Sequence, residues 1–310
     1  VNPLSAHEIR GTWATLLLPI HSDDSIDYPA LDAELDAIIA SGVNGVYSNG
    51  TAGEFHTQSE EEFDRVNERM AQRCEKAQLP FQVGASHMSA QISLARLRRS
   101  KALKPAAFQI VLPDWFKTTD AEAIDFLKRI ADEAAPIGLV LYNPPHAKRV
   151  LKPVELTTLS EAIPQLVGAK VAPTSQPWMH ELGQTSARIS IFTPGHFLAT
   201  HYPQGARGSY SNVACLSPGG AQKWFKLIEA GDPLAKDIEA RLLAFFAGHI
   251  TPFITRDGYC NAAADKLLAA IGGWCPMPTR LRWPYRWIDS ALVSSLRSMA
   301  ERALPELLYQ

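Results

Sequence analysis

The sequence predicts an α/β fold: a (β/α)8 TIM barrel followed by a C-terminal helical extension. Three observations lead there. Short β-rich runs alternate with helical stretches eight times between residues 11 and 231. No G-x-G-x-x-G follows the first run, which removes the main sequence argument for a doubly wound dinucleotide fold. From Asp232 onward, helical patterns continue without a strand signal of comparable strength.

The units read in order. GTWATLLLP (11–19) precedes the amphipathic YPALDAELDAIIASG, and NGVYSNG (44–50) precedes SEEEFDRVNERMAQRCEKA. PFQVGAS leads to SAQISLARLRRSKAL, AAFQIVLP to DAEAIDFLKRIADEA, and GLVLYN to PVELTTLSEAI. LVGAKVA (166–172) precedes QPWMHELGQT, RISIFTP precedes a short HFLATHYP segment, and GARGSYSNV precedes PGGAQKWFKLIEAG. The connections have the lengths usual in α/β units. This places the barrel in residues 1–231 and a helical extension in 232–310, where PLAKDIEARLLAFFAGHI, NAAADKLLAAIG and WIDSALVSSLRSMAERAL read as helices packed on the barrel.

Composition narrows the function. The chain of 310 residues is 46% hydrophobic and 20% charged, enough apolar material for a large core. A formal net charge of −2 gives no electrostatic case for nucleic acid or an anionic membrane. No apolar stretch approaches the roughly 20 residues needed to span a bilayer. VNPLSAHEIRGTW lacks the basic and apolar regions of a signal peptide. Cys74, Cys215, Cys260 and Cys275 show no C-x-x-C spacing, and the nine histidines form no H-x-H or H-x-x-x-H pair. Neither a disulfide framework nor a metal site is expected, no cofactor is implied, and a reducing cytoplasm is the expected compartment.

In a barrel of this kind, functional residues gather at the C-terminal ends of strands and in the loops that follow. Lys170 lies one residue from the end of an apolar strand run, and Tyr142 at the end of GLVLYN. A lysine there is paired, exposed at the strand tip, or chemically employed, since burial disfavours its charge. Neighbouring strands bring its amine and the Tyr142 phenol towards one cavity. A desolvated lysine attacks carbonyls as the free amine, and the iminium it forms is an electron sink for carbon–carbon bond making or breaking. A neighbouring phenol can shuttle the protons. In SNGTAGEF, Gly50 and Gly53 free the backbone and Thr51 offers a hydroxyl, a combination suited to a small carboxylate.

Taken together, these residues resemble the dihydrodipicolinate synthase/N-acetylneuraminate lyase family of class I aldolases. NGTAGEF (49–55) resembles its carboxylate-binding loop, YNPP (142–145) its Y-N-x-P motif, and VGAKVA (167–172) its Schiff-base strand. The three stand in the family's order, with Tyr142 and Lys170 at its usual separation, and the likeness runs from about residue 11 to the end, including PTRLRWP. The resemblance implies that Lys170 forms a Schiff base with pyruvate or another 2-oxo acid and that Tyr142 shuttles protons. Thr51, with Ala52 and the Gly50–Gly53 backbone, would hold the carboxylate. Gly195 and the GARGSYSNV strand would line the pocket, and the chain would form a homo-oligomer, usually a tetramer.

Departures from the synthase branch are expected to change the second substrate. Ala52 stands where that branch has a second relay threonine, and Pro113-Asp114-Trp115 where it has a proline and two tyrosines. The arginine that binds the synthase's aldehyde would fall near Ala147, with Lys148 and Arg149 close but shifted. Trp115, His146, His87 and His21 fall on strand-end loops. Trp115 is a candidate substrate contact, and Arg207, with Lys148 and Arg149, a candidate for a distal anion. His56 reads as structural. The expected activity is therefore a lyase or aldolase acting on a 2-oxo acid with an aldehyde or sugar acid. A sugar-acid dehydratase and a non-catalytic 2-oxo-acid-binding barrel are the alternatives. A phosphate-binding barrel is opposed by the lack of a phosphate-cradling glycine cluster after the last two strands.

Overall fold

The computed structural model describes residues 1–173, 175–185 and 187–308. Eight parallel strands close into a barrel: β1 Gly11–Thr15, β2 Gly45–Ser48, β3 Phe81–Gly84, β4 Ala107–Ile110, β5 Gly138–Asn143, β6 Leu166–Val171, β7 Ser190–Phe192 and β8 Ala206–Tyr210. The helices around it are α1 Tyr28–Ala40, α2 Glu60–Ala77, α3 Ala90–Ser100, α4 Asp120–Ala134, α5 Pro153–Ala162, α6 Gln176–Thr185, α7 Leu198–His201, α8 Asn212–Leu216 and α9 Pro218–Glu229. The extension holds α10 Leu234–His249, α11 Thr251–Thr255, α12 Asn261–Gly272, α13 Val293–Ala303 and α14 Pro305–Leu308. The predicted barrel and its helical extension are thus the observed architecture. No helix among the described residues is long and apolar enough to cross a membrane.

Helix starts follow from local chemistry. Ser59 and Glu62 form a reciprocal capping box at α2, Thr119 and Glu122 another at α4, and Asp27 caps α1 by accepting from Ala30 N–H. Three boundaries differ from the sequence reading. The first strand ends at Thr15 rather than Pro19, because the Leu17 N–H turns to the buried Glu34 carboxylate at 2.8 Å instead of continuing a ladder. The last strand stops at Tyr210, because Ser211 caps the short α8 through its Oγ to Ala214 N–H. The final long helix begins at Val293 after a 3-10 turn, where the Asp289 side chain accepts from Ala291 N–H.

The barrel interior is filled by aromatic side chains. Tyr210 packs against Trp13, Tyr47 and Phe192 with ring centroids 6.1, 4.8 and 4.6 Å apart. Gly45 is needed beside them: a Cβ there would stand 2.5 Å from the Trp13 ring. The N-terminal segment closes the bottom, with Leu4 N–H donating to Ala106 O and Ser190 Oγ to Ile9 O. A second, larger cluster lies between strands and helices, and residues of the extension such as Leu242, Leu267 and Ile271 belong to it. Barrel and extension therefore share one core, and α12 packs directly on α8.

Candidate active site

The register of β5 and β6 sets Tyr142 opposite Lys170. Both side chains face the C-terminal mouth, where they line one cavity of about 560 Å³. The Lys170 ammonium is enclosed by three phenol rings, with Nζ 4.1 Å from the centroid of Tyr142, 5.1 Å from Tyr47 and 5.5 Å from Tyr210. Nζ also donates to the Tyr47 hydroxyl at 3.4 Å. Burial lowers the Lys170 pKa to about 8, and the Asp265 carboxylate pulls it only part of the way back. At neutral pH a reactive fraction of free amine is present.

Tyr142 stands beside the carboxylate loop, and Thr51 Oγ1 donates to its hydroxyl at 3.4 Å. Burial raises the Tyr142 pKa, so the phenol keeps its proton until a partner takes it. Thr51 and Ala52 both line the cavity. The loop is held in shape from below. Asn49 and Glu54 adopt left-handed backbone conformations at φ 55° and 48°. Glu54, fully buried, pairs with the fully buried Lys266 of α12 at 2.6 Å and accepts from Arg282 N–H at 3.0 Å. Arg282 also grips Glu62 through two nitrogens at 2.7 and 2.8 Å. The extension thus fixes the loop that sits next to the amine.

Tyr47, Asp265 and His196 escaped the sequence reading, and Tyr210 was covered only as part of the GARGSYSNV strand. Tyr47 is the penultimate residue of the second strand, Tyr210 ends the eighth, and Asp265 comes from α12. The rule that places function at strand ends already covers both tyrosines. Asp265 had a fainter signal, an acid beside a lysine inside the largely apolar NAAADKLLAAIG. Tyr210 is anchored by donating to Gln82 at 2.8 Å, and Tyr47 accepts from Thr15. Asp265 lines the cavity, and burial raises its pKa to about 7 against the opposing pull of Lys170.

Comparison with known proteins fits this geometry. A profile of the Dihydrodipicolinate synthetase family matches residues 8–255. The chain belongs to that family. Among its relatives, the 4-hydroxy-tetrahydrodipicolinate synthase of Sorangium cellulosum (strain So ce56) is 31% identical over 276 residues, which is 87% of this chain and 88% of the relative. Among solved structures, YagE from E. coli K12, described in complex with pyruvate, superposes with a TM-score of 0.83 at 18% identity, covering 95% of this chain and 98% of that one. A sialic acid aldolase from Ruminococcus gnavus, described as a catalytic lysine mutant, gives 0.82 at 19% identity over 99% and 100% of the two chains.

Within this dihydrodipicolinate synthetase family member, the remaining predicted residues distribute unevenly. Gly50 and Gly53 lie behind the cavity wall: a Cβ on Gly50 would meet the Tyr47 ring at 2.6 Å, and one on Gly53 the Leu16 carbonyl at 2.9 Å. Gly195 serves the same purpose between cavity residues Pro194 and His196, where a Cβ would meet Ser211 Oγ at 2.6 Å. Trp115 lies away from the amine. It is 61% exposed, its ring lies over the Lys148 ammonium, and Lys148 donates to its carbonyl. Arg149 is held by Thr118 O, Glu155 and Asp120. Arg207 also departs from expectation. It is exposed near the start of β8, three residues before the cavity residue Tyr210, and lines a separate depression with Arg10 and Arg188. Three residues of strand span roughly 10 Å, which separates it from the mouth.

The histidines divide as well. His146 lines a small neighbouring cavity, His21 a distant one, and His87 accepts from Ser89 N–H. His56 stacks edge-on against Phe55 and Tyr285. His196, which the sequence reading left unassigned, lines the main cavity, within 2.7 Å of Asn212. Burial lowers its pKa, so it is neutral at physiological pH.

Proposed function

We propose that this protein is a pyruvate-type class I aldolase or lyase in which Lys170 is the nucleophile. The observation that carries the reading is the Lys170 amine, desolvated to a pKa of about 8 and directly opposite Tyr142. The amine adds to the ketone of a 2-oxo acid, and loss of water gives an iminium. Removal of a C3 proton then gives an enamine, which adds to an aldehyde carbonyl; the reverse sequence cleaves the same bond. Tyr142, receiving a hydrogen bond from Thr51, is placed to pass protons to and from the carbinolamine oxygen and the aldehyde oxygen. The Thr51 and Ala52 N–H groups have no acceptor among the described residues, which suits them to the carboxylate. The reading includes self-association, to be checked by analytical ultracentrifugation.

Borohydride reduction in the presence of pyruvate, followed by intact mass spectrometry and peptide mapping, tests the proposal. A single reduced adduct on the peptide containing Lys170 supports it. No adduct with pyruvate or with any of several larger 2-oxo acids sinks it.

Two further outcomes are expected. Tyr142→Phe keeps the ring over the amine but removes the proton carrier, so kcat should fall by about 10²- to 10⁴-fold while pyruvate affinity changes little. An unchanged kcat would remove Tyr142 from the chemistry. Asp265→Asn removes a negative charge that favours the Lys170 ammonium. The amine pKa should therefore fall below about 8, and the pH limb of adduct formation should move to lower pH. A limb that stays in place or rises would contradict the coupling.

A further inference from the structure

A three-carbon acid bound at Lys170 occupies a small part of a cavity of about 560 Å³. The rest is a chamber between the barrel mouth and the extension. Its far wall is made by Leu243, Phe246 and Ala247 of α10 with Ile250 and Ile254, and Phe197 faces it from the rim after β7. Phe246 and Ile250 are buried, while Leu243 is half-buried and Ala247 exposed. Among the described lining residues, Lys170 supplies the one lysine or arginine and Asp265 the one carboxyl.

The nearby cations that could receive a charged substrate are committed elsewhere. Lys148 is tied to the Trp115 carbonyl, Arg149 to two acids and a carbonyl, and Arg207 lies at the opposite end of its strand. A carboxylate brought against this wall would lose its water without gaining a counter-charge, and Asp265 would repel it. A polyhydroxylated chain would find partners in Thr193, His196 and Asn212 on the barrel side and in Thr251 and Asn261 at the exposed edge, but its hydroxyls against Leu243, Phe246, Ile250 and Ile254 would have none. An apolar body loses nothing there and gains from leaving water.

We propose that the second substrate is an uncharged aldehyde with an apolar body, aryl or branched alkyl, seated between Phe197 and the α10–α11 wall. This deepens the aldolase reading and rests on it. The aldehyde carbon meets the enamine at the Lys170 end, and the apolar body points away from the carboxylate loop. The bond formed is between C3 of the 2-oxo acid and that carbon, with the new hydroxyl oxygen protonated from the Tyr142 side.

The test uses the full chain with pyruvate and four aldehydes: benzaldehyde and 3-methylbutanal against succinic semialdehyde and glyceraldehyde. Product formation is followed by mass-resolved chromatography. The apolar pair should exceed the others in kcat/KM by about 100-fold or more. Leu243→Arg should narrow the preference over succinic semialdehyde by at least about tenfold. Ala247→Arg, at an exposed position, repeats that arm in case Leu243→Arg folds poorly. Succinic semialdehyde or glyceraldehyde used as well as the apolar pair overturns the proposal. Pyruvate labelling of Lys170 is scored separately: labelling without apolar preference defeats the chamber proposal and leaves the aldolase reading standing. If pyruvate does not label, saturation-transfer NMR of benzaldehyde against succinic semialdehyde, on wild type and Leu243→Arg, still decides the chamber. Equal or reversed binding overturns it.

Discussion

Lys170→Met is expected to abolish borohydride-trapped pyruvate and to lower kcat/KM by at least about 10⁴-fold, the scale seen when a covalent nucleophile is removed. Methionine fills similar space among Tyr47, Tyr142 and Tyr210 without an amine, so the loss reads out the chemistry rather than a collapsed cavity. A variant with more than a tenth of wild-type activity would contradict the assignment. The same substitution has a second signature. The folded-state pKa of Lys170 is about 8, against an ordinary lysine value of 10.5. The unfolded chain therefore binds the extra proton between those values, and the full penalty for burying the charge is present below about pH 8. Lys170→Met should be more heat-stable than wild type at pH 7, and the gap should close as pH rises towards 10.5. Equal melting at all pH values would mean that the amine is not desolvated.

Lys266→Met is expected to destabilise the fold by about 3–5 kcal/mol, because it strands the Glu54 carboxylate without its buried partner. Denaturant titration measures the loss. The double variant Lys266→Met/Glu54→Leu removes both charges and should recover most of it, since the penalty lies in the orphaned charge. The double variant should nonetheless bind pyruvate more weakly, because Glu54 also receives Arg282 N–H and shapes the loop bearing Thr51. A single variant as stable as wild type would mean that water replaces the lysine without cost.

The fold was legible because eight β-rich runs and eight helical runs alternate at spacings only a few architectures accommodate. Lys170 and Tyr142 were legible because a lysine and a tyrosine at the ends of successive apolar runs must converge in a parallel barrel. Harder to read were residues whose meaning depends on distant partners. Asp265 is an acid in a helix until α12 is folded over the mouth, and no local pattern states that approach. Arg207 was misplaced because its position along the strand, not its chemistry, decides which end of the barrel it serves. Lys148 and Arg149 look free in YNPPHAKRV, yet carbonyls and acids of the preceding strand's loop and following helix occupy them. The cap that ends β8 at Ser211 needed only a hydroxyl, which sequence patterns rarely distinguish from one more strand residue.

The amine, the phenols and the carboxylate loop belong to the barrel, whereas the far wall of the chamber comes from one short stretch that follows it, residues 243–254. Apart from Asp265 and the Lys266–Glu54 pair, which reach the machinery from α12, reactivity and selectivity are thereby inherited separately. The half-buried and exposed side chains on that stretch, Leu243 and Ala247 among them, can be exchanged at modest cost to the core, while the strand-borne machinery tolerates far less. A lineage or a laboratory seeking a new carbon–carbon bond would leave the eight strands alone and recut the two helices above them.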